Sequence, residues 1–149
     1  MKKIEDAIQQ SKFRNSHQKA VINLIYTANW LQNKHHGFFK QFGITSHQYN
    51  ILRILKGQYP KNISATEIKS RLLDQNSDVS RLLERLQQKH LITKVASEND
   101  KRASDVFISE QGLELLLQIE KQQKEIDFAI NLTPEEANQL SDLLDKCRG

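Results

Sequence analysis

The 149-residue chain has a single cysteine, Cys147. No intramolecular disulfide can form, so a reducing compartment is expected. No apolar run approaches the roughly 18 residues of a membrane-spanning helix, and no membrane partner is expected. The opening MKKIEDAIQQSK has two lysines with no apolar run behind them, so no signal peptide is expected and the predicted location is cytoplasmic. Catalytic signatures are also missing. There is no G-x-S-x-G, no P-loop, no H-E-x-x-H and no Cys–His pair at usable spacing. Neither an enzyme nor a cofactor is expected. The histidines are His17, His35, His36, His47 and His90, and residues 91–149 contain none. The adjacent His35 and His36 diverge around a helix, so no metal site is expected either. Internal repeats and low-complexity tracts are absent.

What is present fits one domain, 1–149, long enough to bury a core. Charge is unevenly spread. Lys+Arg number 22 and Asp+Glu 18, a net +4. Counting along the chain, residues 1–52 carry seven basic and two acidic residues, 53–102 eleven and six, and 103–149 four and ten. A basic middle with an acidic end suits a polyanion bound through one face; chance segregation on a helical protein is the plain alternative.

The pattern along the chain is mainly helical. Residues 1–14 suggest a short helix or a frayed arm. Val21, Leu24, Ile25, Ala28 and Leu31 make a helical stripe, flanked by Ile22 and Trp30, on a helix predicted from about Ser16 to Phe39. Gly43 is its stop. Thr45 with Gln48, and Ser64 with Glu67, have capping-box form and open the next two helices. Ile68, Leu72 and Leu73 give the second of these an apolar side, and it is predicted to stop near Asp74. After a polar turn, Val79, Leu82, Leu83 and Leu86 fall on one face of another short helix. The period then drops to about 2, and Thr93–Ala96 and Asp105–Ile108 read as strands around a charged loop. Ser109 caps a long helix predicted to reach about Asn131. Thr133-Pro134-Glu135-Glu136 opens the last helix, with Cys147 on its apolar side.

Two short helices across a polar turn match a helix-turn-helix, and an ordinary corner in a helical bundle would match as well. The two strands shift the balance. A helix-turn-helix with a hairpin is a winged helix, and a wing tip can place an arginine in the minor groove, where the negative potential is concentrated. Arg102 is the candidate, with Lys101 beside it and Asp100 holding the Arg102 fork by an ion pair.

These elements in this order resemble the multiple-antibiotic-resistance regulator (MarR) family of bacterial transcription factors, over roughly residues 16–147. The wing carries D-x-R as Asp100 and Arg102, then Val106-Phe107-Ile108, Ser109 and Gly112. Ser80-Arg81-Leu82-Leu83-Glu84-Arg85-Leu86 is similar to the family's T-R-x-x-D/E-R-L run. Gly43-Ile44-Thr45 leading to Gln48 and Leu52 is similar to its entry into the second helix. His90 stands where the family has glycine in a left-handed cap, and Lys94 where it often has arginine.

The resemblance implies a mainly α fold with a small β-hairpin: a winged helix-turn-helix at about 45–109, with dimerisation helices at about 15–42 and 110–147. It implies a homodimeric repressor on a pseudo-palindromic operator in double-stranded DNA. Ser77, Ser80 and Arg81 would face bases and phosphates, and Asp78 would accept from a cytosine amino group or cap the helix. Lys69, Arg71, Lys101 and Arg102 would contact backbone and minor groove. A small aromatic acid could serve as effector, in a pocket built from Trp30, Phe38, Tyr49 and Arg53. Cys147 reads as a packed small hydrophobe rather than a redox sensor. The rival readings are a winged-helix protein–protein module, a plasmid or replication DNA-binding protein, and, weakest, a small helical enzyme.

Overall fold

The structure is a computed structural model and describes residues 2–99 and 104–149. Its elements are α1 (Ile4–Ala7), α2 (Ser16–Lys40), α3 (Ser46–Gln58), β1 (Ile63–Ser64), α4 (Ala65–Arg71), α5 (Val79–Gln88), β2 (Ile92–Ala96), β3 (Ser104–Ile108), α6 (Glu110–Glu120), α7 (Lys124–Asp127) and α8 (Pro134–Arg148).

Helix starts follow local chemistry. Thr45 Oγ1 accepts from Gln48 N–H at 3.1 Å, and Gln48 Oε1 accepts from Thr45 N–H at 3.0 Å. The same reciprocal pair forms between Ser64 and Glu67 and between Thr133 and Glu136. Each closes two of the donors a helix N-terminus leaves open.

The core lies within the winged helix and the start of the arm behind it. Ile51, Leu52 and Leu55 of α3 pack with Ile68, Leu83, Leu86 and Val106, while Leu116 and Ile119 tie α6 to the same cluster and Phe39 brings in the end of α2. Gly112 lets α6 sit directly on the hairpin. A Cβ there would stand 2.3 Å from the Leu91 carbonyl oxygen and 2.7 Å from Ile108 Cγ1.

Four features differ from the sequence expectations. The sheet has three antiparallel strands in the order β1-β3-β2, with Ile63 opposite Val106 and Ile92 opposite Ile108. The two residues of β1 are too few to show a period. The helix predicted to run to Asn131 breaks after Glu120. EKQQKE offers no apolar side chain to bury, so nothing holds the run straight, and α7 resumes as a separate turn. Leu117, expected beside Leu113 and Leu116, is exposed. Finally, α4 ends at Arg71 and Leu72 leaves it in extended conformation, so Leu72 is buried while Leu73 is exposed.

Outside this body the apolar stripes of α2 and α8 face outward. Val21, Leu24 and Ile25 on α2, and Leu140 and Leu143 on α8, are exposed. Cys147 is exposed as well, not packed. Among the described residues no other element packs extensively against its helix.

Candidate nucleic-acid interface

The helix α5 is divided cleanly. Val79, Leu83 and Leu86 are buried; Ser80, Arg81, Glu84 and Arg85 are exposed. Its N-cap is Asp78, whose carboxylate accepts from Arg81 N–H at 3.1 Å. Of the two roles considered for Asp78, capping is the one the geometry displays. Ser77, half-buried, precedes it, and its N–H donates to the Asp74 carbonyl oxygen at 3.2 Å. Lys69 and Arg71 are exposed in the last turn of α4. Among the described residues, none of Lys69, Arg71, Arg81 and Arg85 forms an ion pair. The strands that would carry a wing are in place, whereas Asp100, Lys101 and Arg102 lie outside the described residues.

The turn between α4 and α5 is held from α3. Asn50 Oδ1 accepts from Leu73 N–H at 3.0 Å, and His47 Nε2 lies 3.1 Å from Asp74 Oδ2. Asp74 Oδ1 accepts from Asn76 N–H at 2.9 Å, and Gln75 Nε2 donates to the Leu72 carbonyl oxygen at 2.7 Å. The Asn76 N–H, followed by His47, holds the Asp74 carboxyl below its ordinary value. His47 and Asn50 were not anticipated as part of this site. Their three-residue spacing put both on one side of α3, but nothing in the sequence named their partners.

The joint between α5 and the hairpin is a Schellman motif. His90 has φ +60°; its N–H donates to Gln87 O at 2.9 Å, and Leu91 N–H donates to Leu86 O at 3.0 Å. His90 therefore fills the left-handed position reserved for glycine in the family pattern. Behind it, the Ser109 hydroxyl donates to His90 O at 2.7 Å and accepts from Gly112 N–H at 3.0 Å.

On its other side α3 meets the α6–α7 break. Glu120 accepts from Lys56 at 2.6 Å and lies 3.7 Å from Arg53. Lys56, and more weakly Arg53, hold the Glu120 carboxyl below its ordinary value. Tyr49 Oη donates to Gln123 Oε1 at 3.2 Å and its ring stacks on Phe39 at 4.4 Å. Phe38 contacts Phe39 edge-on from α2. Trp30 stands further up α2 beneath the Lys34 ammonium, 4.6 Å from its ring centre. The four residues suggested for an effector pocket thus divide. Tyr49 and Arg53 share one edge, Phe38 lies across Phe39, and Trp30 is apart. Two clefts along α6 are lined by other side chains, including Lys89, Gln118 and Lys121.

Residues 44–104 match the MarR family. The chain is similar to the HTH-type transcriptional regulator MgrA of Staphylococcus aureus, 26% identical over 124 residues, which is 82% of this chain and 83% of that protein. Its fold is similar to the crystal structure of a MarR transcription factor from Planctomyces limnophilus, with TM-score 0.70 and 26% identity, covering 92% of this chain and 98% of that one. It is also similar to S. aureus MepR in a complex with DNA, with TM-score 0.73 and 23% identity, covering 91% and 97%. The matched segment runs from the entry of α3 through the helix-turn-helix and β2 to the first residue of β3, and the fold likeness runs over nearly the whole chain. The chain is thus similar to the MarR family over residues 44–104 and in fold to winged-helix MarR regulators, and the relatives it matches are transcription regulators.

Proposed function

We propose that this protein is a homodimeric, sequence-specific DNA-binding regulator that represses transcription from a pseudo-palindromic operator. The observation that carries the reading is the outer face of α5. Ser80 and Arg81 stand exposed on its first turn, beside Lys69 and Arg71 of α4, while the opposite face is locked into the core. Hydroxyls and an arginine at the start of a recognition helix suit base edges in the major groove, and the flanking cations suit phosphates. In this reading residues 45–109 are the DNA-binding lobe, and 15–42 and 110–147 are the dimerisation helices. The outward stripes of α2 and α8 support that division, since an apolar surface of this extent on one chain calls for a partner. A second copy would also set two recognition helices about one DNA turn apart.

A small aromatic acid would enter at Tyr49 and Arg53, its carboxylate taking the place of Glu120 at the guanidinium. That exchange would loosen α3 from the α6–α7 break and reach the helix-turn-helix through His47 and Asn50.

Fluorescence anisotropy with duplex from upstream of the coding region, at several salt concentrations, tests the DNA reading. The expected result is a steep log–log salt slope, with Arg81→Ala weakening binding and relaxing sequence preference. A flat slope, or an Arg81→Ala variant that binds like wild type, would favour the protein–protein module. Adding benzoate-class acids to the same assay tests release.

A further inference from the structure

Leu73 is the most exposed of the large hydrophobic side chains, at 90%, and it lies inside the proposed interface rather than on the dimerisation stripes. It follows Leu72, 4% exposed and part of the core, so the chain separates two adjacent leucines to opposite environments. Its position is fixed. The Leu73 N–H is held by Asn50, the Leu72 carbonyl by Gln75, and Asp74 is tied to His47 and to Asn76 N–H. A loose loop could fold such a side chain back; this one is pinned from both sides with the leucine pointing out.

Its surroundings select a polyanion. Lys69 and Arg71 precede it, and Arg81 is on the first turn of α5 after it. The nearby carboxylates are engaged locally: Glu67 in the Ser64 cap, Asp74 by His47 and Asn76, Asp78 in the α5 cap. Among the described residues Lys69, Arg71 and Arg81 form no ion pair, and they flank one exposed apolar side chain in the chain. A duplex matches this arrangement, with phosphates for the cations and, in the major groove, one apolar feature on its base edges, the thymine C5-methyl.

We propose that Leu73 is a specificity-determining residue that packs against a thymine methyl in each operator half-site, and that Asn50 is the positioning residue that keeps it there. The inference rests on the DNA-binding reading and adds a base contact outside the recognition helix. Burying one methyl corresponds to about a fourfold change in affinity.

The test uses the full-length protein and a 30-bp-class duplex enriched by the wild type from a random library. Each thymine is replaced in turn by deoxyuridine, which removes the C5-methyl and leaves the pairing edge intact. Wild type should lose about fourfold affinity at one thymine per half-site. Leu73→Ala should bind the thymine duplex correspondingly more weakly and be indifferent to that replacement, with an unchanged salt slope because no phosphate contact is lost. Asn50→Ala should show the same indifference while keeping its fold by circular dichroism. Additive losses in Leu73→Ala, or a wild type insensitive to every replacement, would overturn the contact while leaving the DNA reading intact. A wild type that enriches no sequence overturns both.

Discussion

The Ser109 hydroxyl donates to the carbonyl oxygen of His90 across 2.7 Å, joining the cap of α6 to the end of α5. The two residues are 19 apart in sequence. Through this bond α5, the hairpin and α6 share one fixed point. Gly112 and the Schellman turn at His90 belong to the same joint, so changes here act on the aim of α5 rather than on its exposed face.

Gly112→Ala is expected to destabilise the fold by about 1–3 kcal/mol, as an added methyl in a filled core does. The new Cβ would meet a backbone oxygen at 2.3 Å, which no rotamer change can relieve. Urea unfolding should show a lower midpoint with an unchanged slope, and DNA affinity should fall as α6 is pushed off the hairpin.

His90 occupies φ +60° without being glycine. A left-handed residue with a Cβ costs about 1–2 kcal/mol, less for types such as His. His90→Gly should therefore raise the unfolding free energy by up to about 1 kcal/mol, and His90→Val should lower it by about 1–2 kcal/mol. Denaturant curves of the two variants and wild type read the order directly.

Asp74 gives the helix-turn-helix an acid-sensitive pin. The Asn76 N–H, and then His47, depress its pKa in the folded state. A depressed carboxylate contributes stability that is present above its unfolded value and lost as pH falls through the folded one. The stability gap between wild type and Asp74→Asn should thus be widest above about pH 4 and close below it. A gap that widened on acidification would contradict the assignment.

Ile25→Asp should break the proposed dimer. Ile25 is 57% exposed, so a charge there disturbs nothing inside one chain. Sedimentation velocity should change from dimer to monomer with helical content retained. DNA affinity should fall with it, because two half-sites can no longer be held by one particle.

Much of the fold was legible in the sequence because it is written over short distances. The capping boxes at Thr45, Ser64 and Thr133 need only a residue and its neighbour three places on. The change of period after Leu91 marks where helix gives way to strand, and the displaced glycine at position 90 marked the left-handed turn that His90 adopts. The candidate interface on α5 was legible for the same reason, since the spacing that buries Leu83 and Leu86 exposes Ser80 and Arg81.

Tertiary structure decided what depends on distant partners. Ile63 became a strand because Val106 offered it an edge. The Leu72–Leu73 pair split between core and solvent because Asn50, 23 residues earlier, takes the Leu73 N–H. Glu120, the last residue of α6, is tied to α3 because Lys56, 64 residues away, takes its carboxylate. Periodicity tells which side chains share a face. What covers that face, or leaves it open, depends on contacts between segments that carry no mark of one another in the sequence, and the outward stripe of α2 and the exposed Leu73 were settled at that level.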